Sequence, residues 1–335
     1  MAALKNRCRR TFRRLSLVVL GGALAGVSCA GYSNDNHDDA QVVQDSIVVP
    51  YAMASEPPRS FRAEGYDYDH EVLVTLPRSY TVSPDRSYPV LWAMDGAAHH
   101  MIIAGIVSMY GLYDLVPEMI IVSVGHSSEQ GIAGIAKRSA DLTPPGSLLG
   151  DDELGKSTLR AGYGSSLTDL ETSQPNGANF LDFLVDQLRP QMAERYRMNG
   201  DHALVGHSLG GWFTGYALFT RPDAFSRYLI ASGIHHQTLD HLEAKYAESH
   251  DDLPARIFIA AGSSEVTNVM LSAVRAVSRT VALAENLSMR QYPSLALKLQ
   301  LYPDRDHITV LPPLFADGFQ YIYADEVEKL TNLTE

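Results

Sequence analysis

The tightest constraint on this chain is the run Ala203-Leu204-Val205, followed at once by Gly206-His207-Ser208-Leu209-Gly210-Gly211-Trp212. The three apolar residues read as a short buried strand, and the residues from Leu209 onward fit a helix. Gly-X-Ser-X-Gly between a strand and a helix predicts a sharp turn with the serine at its tip. Glycines two residues to either side of Ser208 leave space for a crowded backbone that a Cβ would obstruct. Such a turn belongs at the open end of a sheet. The helix that follows aims its free N–H groups and positive dipole end toward the hydroxyl.

The remaining strands are legible by the same logic. Opening strands are expected at Ile47-Val48-Val49 and over Tyr66 to Leu76, the second rich in β-formers from His70 to Leu76. Tyr88 to Met94 and Met119 to Val124 are continuous apolar runs, as suits strands covered on both faces. Tyr228 to Ser232 and Arg256 to Ala261 follow the serine, and Ala296 to Tyr302 closes the series. In that last run Lys298 and Gln300 fall on one face, which predicts a position near the sheet edge. Helices are expected at Asn179–Met198, kinked or restarted at Pro190, and at about Leu239–Ser249 and Val266–Glu285. Helices alternating with short buried strands predict an α/β fold, a mostly parallel central sheet wrapped on both faces, in one domain over residues 45–335. From Gly125 to Asn176 the periodicity is weak, and this segment is expected to wall or cover a site, with Arg138 and Asp141 in it.

Residues 1–30 read as an export signal. Arg7, Arg9, Arg10, Arg13 and Arg14 form a basic head, and Leu15 to Gly26 an apolar segment too short to span a bilayer comfortably. Ser28-Cys29-Ala30 offers small residues for cleavage, and Arg9-Arg10 resembles a twin-arginine signal. Lipidation at Cys29 is the minor alternative, because Gly26 stands where lipoprotein signals carry leucine. Residues 31–44 are polar and acid-rich, and read as a flexible tether. The expected location is periplasmic or secreted, with no stable membrane insertion after cleavage. Both cysteines, Cys8 and Cys29, lie in the leader, so the mature domain has neither a disulfide nor a thiolate nucleophile. The whole chain carries a net charge of −12, and its six leading basic residues leave the remainder more acidic still. A mean field of that sign argues against a nucleic-acid partner.

A serine hydroxyl is barely ionised at neutral pH and needs a base within reach. His307 follows the last expected strand, at the sheet end where Ser208 should sit. The base needs a carboxylate to fix its tautomer. Glu265, just beyond the strand ending at Ala261, is favoured on chain order, with Asp304 and Asp306 as rivals. The backbone N–H groups of Leu209 and Ala97 are the expected oxyanion donors.

These residues resemble the "Putative esterase" family of α/β-hydrolases, the group of esterase D-like enzymes and siderophore esterases. The matching pieces are Tyr88-Pro89-Val90-Leu91 with Asp95-Gly96, Arg138 with Asp141-Leu142-Thr143-Pro144, and Phe180 to Tyr196. Gly206 to Gly211, Ala261 to Glu265 and Asp306-His307 complete the set. The resemblance implies Ser208 as nucleophile, His307 as base and Glu265 as orienting acid, with no cofactor. The chain departs from the family at Gly233-Ile234-His235-His236, where relatives often carry Ser-Pro-Ser with aromatic residues. That loop should border the pocket, so His235 and His236 are expected substrate contacts, as is Arg138 from the segment expected to wall the site. Adjacent histidines point in different directions and no third ligand is evident for either His99-His100 or His235-His236, so no metal site is expected.

The expected function is therefore an exported serine hydrolase that cleaves a small-molecule carboxylic ester through an acyl-enzyme. The resemblance implies a siderophore or other aromatic ester. The alternatives are acyl transfer to a sugar or alcohol, and a binding protein on a hydrolase scaffold that no longer turns over. Sequence leaves the oligomeric state open.

Overall fold

The computed structural model describes residues 52–127, 131–146, 157, 175–233 and 237–332. The expected strand Ile47-Val48-Val49, the leader and the tether lie outside them. The described residues all fall in one compact unit, Ile47–Glu335.

Nine strands form one sheet. They are β1 (Ala54–Ser55), β2 (Arg59–Phe61), β3 (His70–Leu76), β4 (Tyr88–Met94), β5 (Ile120–Gly125), β6 (Met198–His207), β7 (Arg227–Ala231), β8 (Arg256–Gly262) and β9 (Ala296–Tyr302). The order across the sheet is β1-β3-β5-β4-β6-β7-β8-β9, with β2 also paired to β3. From β5 to β9 every pairing is parallel, and β3 joins β5 antiparallel. The chain steps outward from β4 to β5, then returns across β4 to lay down β6. The winding therefore reverses between β4 and β6, and in open α/β sheets ligands bind at the carboxyl ends of strands at such a reversal. The Asp95-Gly96 turn follows β4, and Ser208 follows β6.

Alternate residues of β4 feed two cores. Val90, Trp92 and Met94 pack on one face with Trp212 and Phe213 of the helix Leu209–Thr220 and with Leu283 and Leu287 of the helix Ala276–Arg290. Leu91 and Ala93 pack on the other with Ile103 and Val107 of the helix Gly96–Leu112 and with Phe315 and Phe319 of the helix Leu311–Ile322. Each large apolar side chain so enclosed contributes about 1.5–3 kcal/mol. β9 lies at the sheet edge, but its burial does not follow the alternation of its sequence: Leu299 and Leu301 are 37% and 38% exposed, while Lys298 on the other face lies over the Phe258 ring.

Three local features differ from the sequence reading. The weakly periodic stretch contains a helix, Gly131–Asp141, whose glycines and alanines obscure its apolar repeat. The expected Asn179–Met198 helix runs from Gly177 to Arg195 and passes through a π-helical turn at Phe183–Leu188. Pro190 follows that turn at the start of the next α segment; it lacks an N–H and its ring crowds the carbonyl four residues back, so the backbone widens ahead of it. The expected helix over Val266–Glu285 is split into Val269–Ala273 and Ala276–Arg290 by Arg275, which adopts a left-handed conformation at φ 56°.

The C-terminal helices are fastened to the sheet through Arg227 on β7. Its guanidinium, 6% exposed, donates to Asp201 at 2.7 Å, to Asp325 at 2.6 Å and to the carbonyl of Ile322. Removing this cation strands two carboxylates that it neutralises. Arg227→Met is expected to cost about 3 kcal/mol, the scale for breaking a buried pair, and urea unfolding would measure it.

Candidate active site

The elbow at Ser208 is built by close backbone contacts. Ser208 has φ 60° and ψ −122°, a conformation that a non-glycine residue holds only when its surroundings enforce it. Its N–H donates to the carbonyl of Ala231 at 3.0 Å, tying the turn to β7. A Cβ on Gly206 would lie 2.0 Å from the carbonyl oxygen of Gly210, and one on Gly211 would lie 2.8 Å from that of Ala231. Gly210, inside the five-residue motif, is less restricted, since its nearest contact is the Met94 side chain at 3.2 Å. The indispensable pair is therefore Gly206 and Gly211.

Ser208 lines a cavity of about 380 Å³, together with Asp95, Ala97, His99, His126, Arg138, His207, His307, Ile135 and Ile308 among others. Ile135 and Ile308 are strongly exposed, so the mouth is apolar. Leu209 opens the elbow helix and Ala97 stands second in Gly96–Leu112. Their N–H groups belong to first turns, where a helix offers no acceptor of its own.

His307 shares this cavity, and its Nδ1 lies 3.3 Å from Oε2 of Glu265. Glu265 is fully buried. Its other oxygen accepts from Ser232 Oγ at 2.6 Å and from the N–H of Gly262 at 2.9 Å, which fixes the carboxylate plane. Of the three acids considered in the sequence, Glu265 alone touches His307. Asp306 instead accepts from the N–H groups of Ile308 and Thr309, and so builds the turn around the histidine, while Asp304 is exposed in that turn. The acid and base segments are stitched together. Ser264 N–H donates to the carbonyl of Arg305, Asp304 N–H donates to Ser263 Oγ, and a Cβ on Gly262 would collide with Arg305 at 2.2 Å. Ser232, at φ 43° just past β7, went unnoticed in the sequence, because its part depends on a neighbouring strand.

Three histidine rings stand in a row beside the serine. His307 and His207 have centroids 4.3 Å apart, and His207 meets His99 edge to face at 5.5 Å. Burial, helped by the nearby His307 and His99, drives His207 well below its ordinary range, and burial likewise lowers His99. His100 faces away from the cavity, bonded to Thr75 Oγ1 and Ser123 Oγ, and is lowered by burial too.

Arg138 lines the cavity in a two-pronged ion pair with Asp95, its Nη2 2.9 Å from Oδ2. Asp95 itself turns the chain in the left-handed region, φ 60° and ψ 48°, which short polar side chains tolerate. His235 and His236 lie outside the described residues. His126, which sequence reasoning passed over, belongs both to the cavity and to a buried group with His70 and Asp141. Burial pushes the Asp141 carboxyl up, but contacts from His126, His70 and Tyr68 outweigh it and leave it at about 2.

A mostly parallel sheet with a serine elbow at its winding reversal defines an α/β-hydrolase fold. The model of the family described as "Putative esterase" matches residues 150–295, which include Ser208 and Glu265. The chain is 32% identical over 157 residues to the siderophore triacetylfusarinine C esterase of Aspergillus fumigatus, across 44% of this chain and 46% of that protein. It thus spans about half the length of that relative. It is 22% identical over 261 residues to the ferri-bacillibactin esterase BesA of Bacillus subtilis, across 74% of this chain and 83% of that protein. An IroE-like serine hydrolase from Shewanella oneidensis superposes with a TM-score of 0.65 at 22% identity, covering 80% of this chain and 81% of that one. These matches make the chain similar, over its middle part, to the family described as "Putative esterase" and to esterases of siderophores, and the structural likeness shows the shared α/β-hydrolase fold.

The buried histidines make stability depend on pH with a definite sign. Their folded values lie below the ordinary 6.5, so on acidification the unfolded chain takes up protons first. The melting temperature is expected to fall as pH drops from 7 to 5. His207→Gln should flatten that slope in a scanning calorimeter.

Proposed function

We propose that this chain is an exported serine esterase. Ser208 Oγ attacks the carbonyl carbon of an ester, and His307 takes its proton and passes it to the departing alkoxide. The acyl group stays on Ser208 until a water, activated by the same imidazole, releases it as the acid. Glu265 holds the ring and stabilises its charged form. The N–H groups of Leu209 and Ala97 receive the oxyanion. The observation that carries this reading is that a strained serine opens onto the same cavity as a histidine backed by a buried, doubly held carboxylate.

The substrate class follows from the relatives' named activities and from the mouth of the site. One relative is named as a siderophore esterase and another as a ferri-bacillibactin esterase, and Ile135 and Ile308 offer apolar surface to a bulky acyl or alcohol group. We therefore favour a siderophore ester, met in the periplasm or outside the cell once residues 1–30 are removed. Arg138 would contact a polar group of the substrate while keeping its pairing with Asp95. Hydrolysis is favoured over acyl transfer because His307 keeps 20% of its side chain exposed, which admits water to the base.

Ser208→Ala is expected to lower kcat on a short p-nitrophenyl ester by about 10⁴-fold or more. Glu265→Gln is expected to lose on the order of 10²–10⁴-fold, since a wrong tautomer of His307 is the result. Stopped-flow release of p-nitrophenol measures both, and equal rates for wild type and Ser208→Ala would remove this serine from the mechanism. Chromatography of ferri-bacillibactin and triacetylfusarinine C digests then tests the substrate class.

A further inference from the structure

We propose that His70, His126 and Asp141 form a binding site for a first-row divalent cation, with zinc the best match. Glu71 on β3 pairs with Gly125 on β5, so the next rung sets His70 opposite His126 at the ends of two adjacent strands. Asp141 arrives from the last turn of the helix Gly131–Asp141. One donor atom from each of the three lies within 4.8 Å of the others, and no other such group exists among the described residues. His70 and Asp141 are fully buried, and His126 is 7% exposed on its side chain.

The details favour an ion over a plain hydrogen-bond network. His70 Nε2 lies 2.9 Å from Asp141 Oδ2 and His126 Nε2 lies 3.1 Å from the same oxygen. Yet His126 Nε2, though buried and close to that oxygen, makes no hydrogen bond. A buried nitrogen close to a carboxylate yet without a hydrogen bond suits a point shared by three ligands. Bonds of about 2.0–2.1 Å to a tetrahedral zinc place neighbouring donors roughly 3.3 Å apart, within a few tenths of an ångström of both separations here. Two imidazoles and one carboxylate are a borderline-soft set that suits zinc, iron(II) or cobalt(II) better than magnesium or calcium.

The carboxylate is already oriented for this task. Its Oδ1 accepts from Tyr68 Oη at 2.7 Å and from Asn176 Nδ2 at 3.0 Å, which leaves Oδ2 for the ion. Outer partners of this kind fix a ligand's direction and raise affinity. His126 lines the cavity, so water could reach the fourth position from there. Bound metal would tie the helix that carries Arg138 to β3 and β5, and so set the wall of the cavity. The inference stands apart from the esterase reading, since it uses none of Ser208, His307 or Glu265.

The test is metal binding to the full chain after treatment with a chelator. Zinc titrated in a calorimeter is expected to bind at one equivalent and raise the melting temperature, and cobalt(II) to develop ligand-field absorption. His126→Ala should abolish both signals. Tyr68→Phe should weaken affinity by about 10–100-fold, and it keeps all three ligands should the alanine variant fold poorly. Ser208→Ala should bind zinc as the wild type does, whether or not it hydrolyses esters. Absence of saturable binding, or one equivalent retained at unchanged affinity in both His126→Ala and Tyr68→Phe, would overturn the assignment.

Discussion

The backbone crossing at Gly206 and Gly211 is the constraint from which the rest of the site follows. The carbonyl of Gly210 and that of Ala231 come so near these two residues that a single carbon on either would collide. Only that crowding lets β6 turn directly into a helix while leaving Ser208 at a positive φ. Strain of this kind is held by the neighbours, and the neighbours here are strands β4 and β7 on either side of β6. The buried faces of the sheet therefore serve the geometry of one side chain. The winding reversal between β4 and β6 leaves room above it for a cavity.

A second closure brings in the other polar groups. The turn after β8 and the turn after β9 are laced by backbone and serine hydrogen bonds, which hold Glu265 and His307 in fixed relation. Ser232 reaches the same carboxylate from β7. Three consecutive strand ends thus converge on one imidazole, and the elbow's own His207 packs against that ring. The carboxylate sits in a fully buried place, yet both its oxygens have partners, which is the condition under which burial of such a group is tolerated.

What could be read in the sequence was whatever depends on neighbours along the chain. The apolar runs of β4 to β8 and the edge position of β9 are local signals that the structure has, and the glycine-flanked elbow is there too, although Gly211 rather than Gly210 makes the close backbone contact. The order Ser208, Glu265, His307 could be proposed because each residue lies in the turn that follows a strand. The helix Gly131–Asp141 was not, since Gly131, Ala133 and Gly134 dilute its apolar stripe. The group of His70, His126 and Asp141 was invisible for a different reason. Its members meet through strand register and helix placement, and nothing in their spacing marks them. The same holds for the pairing of Asp95 with Arg138, where each residue was noticed for something else.

The cavity is assembled from segments far apart in the chain, and the latest of them follows β9. β9 has only β8 to lean on, and it docks at an open edge. A partly synthesised or partly folded molecule thus holds Ser208 on a finished elbow while the imidazole is still absent. Competence arrives with the last strand to be added, so the timing of its appearance is governed by completion of the fold.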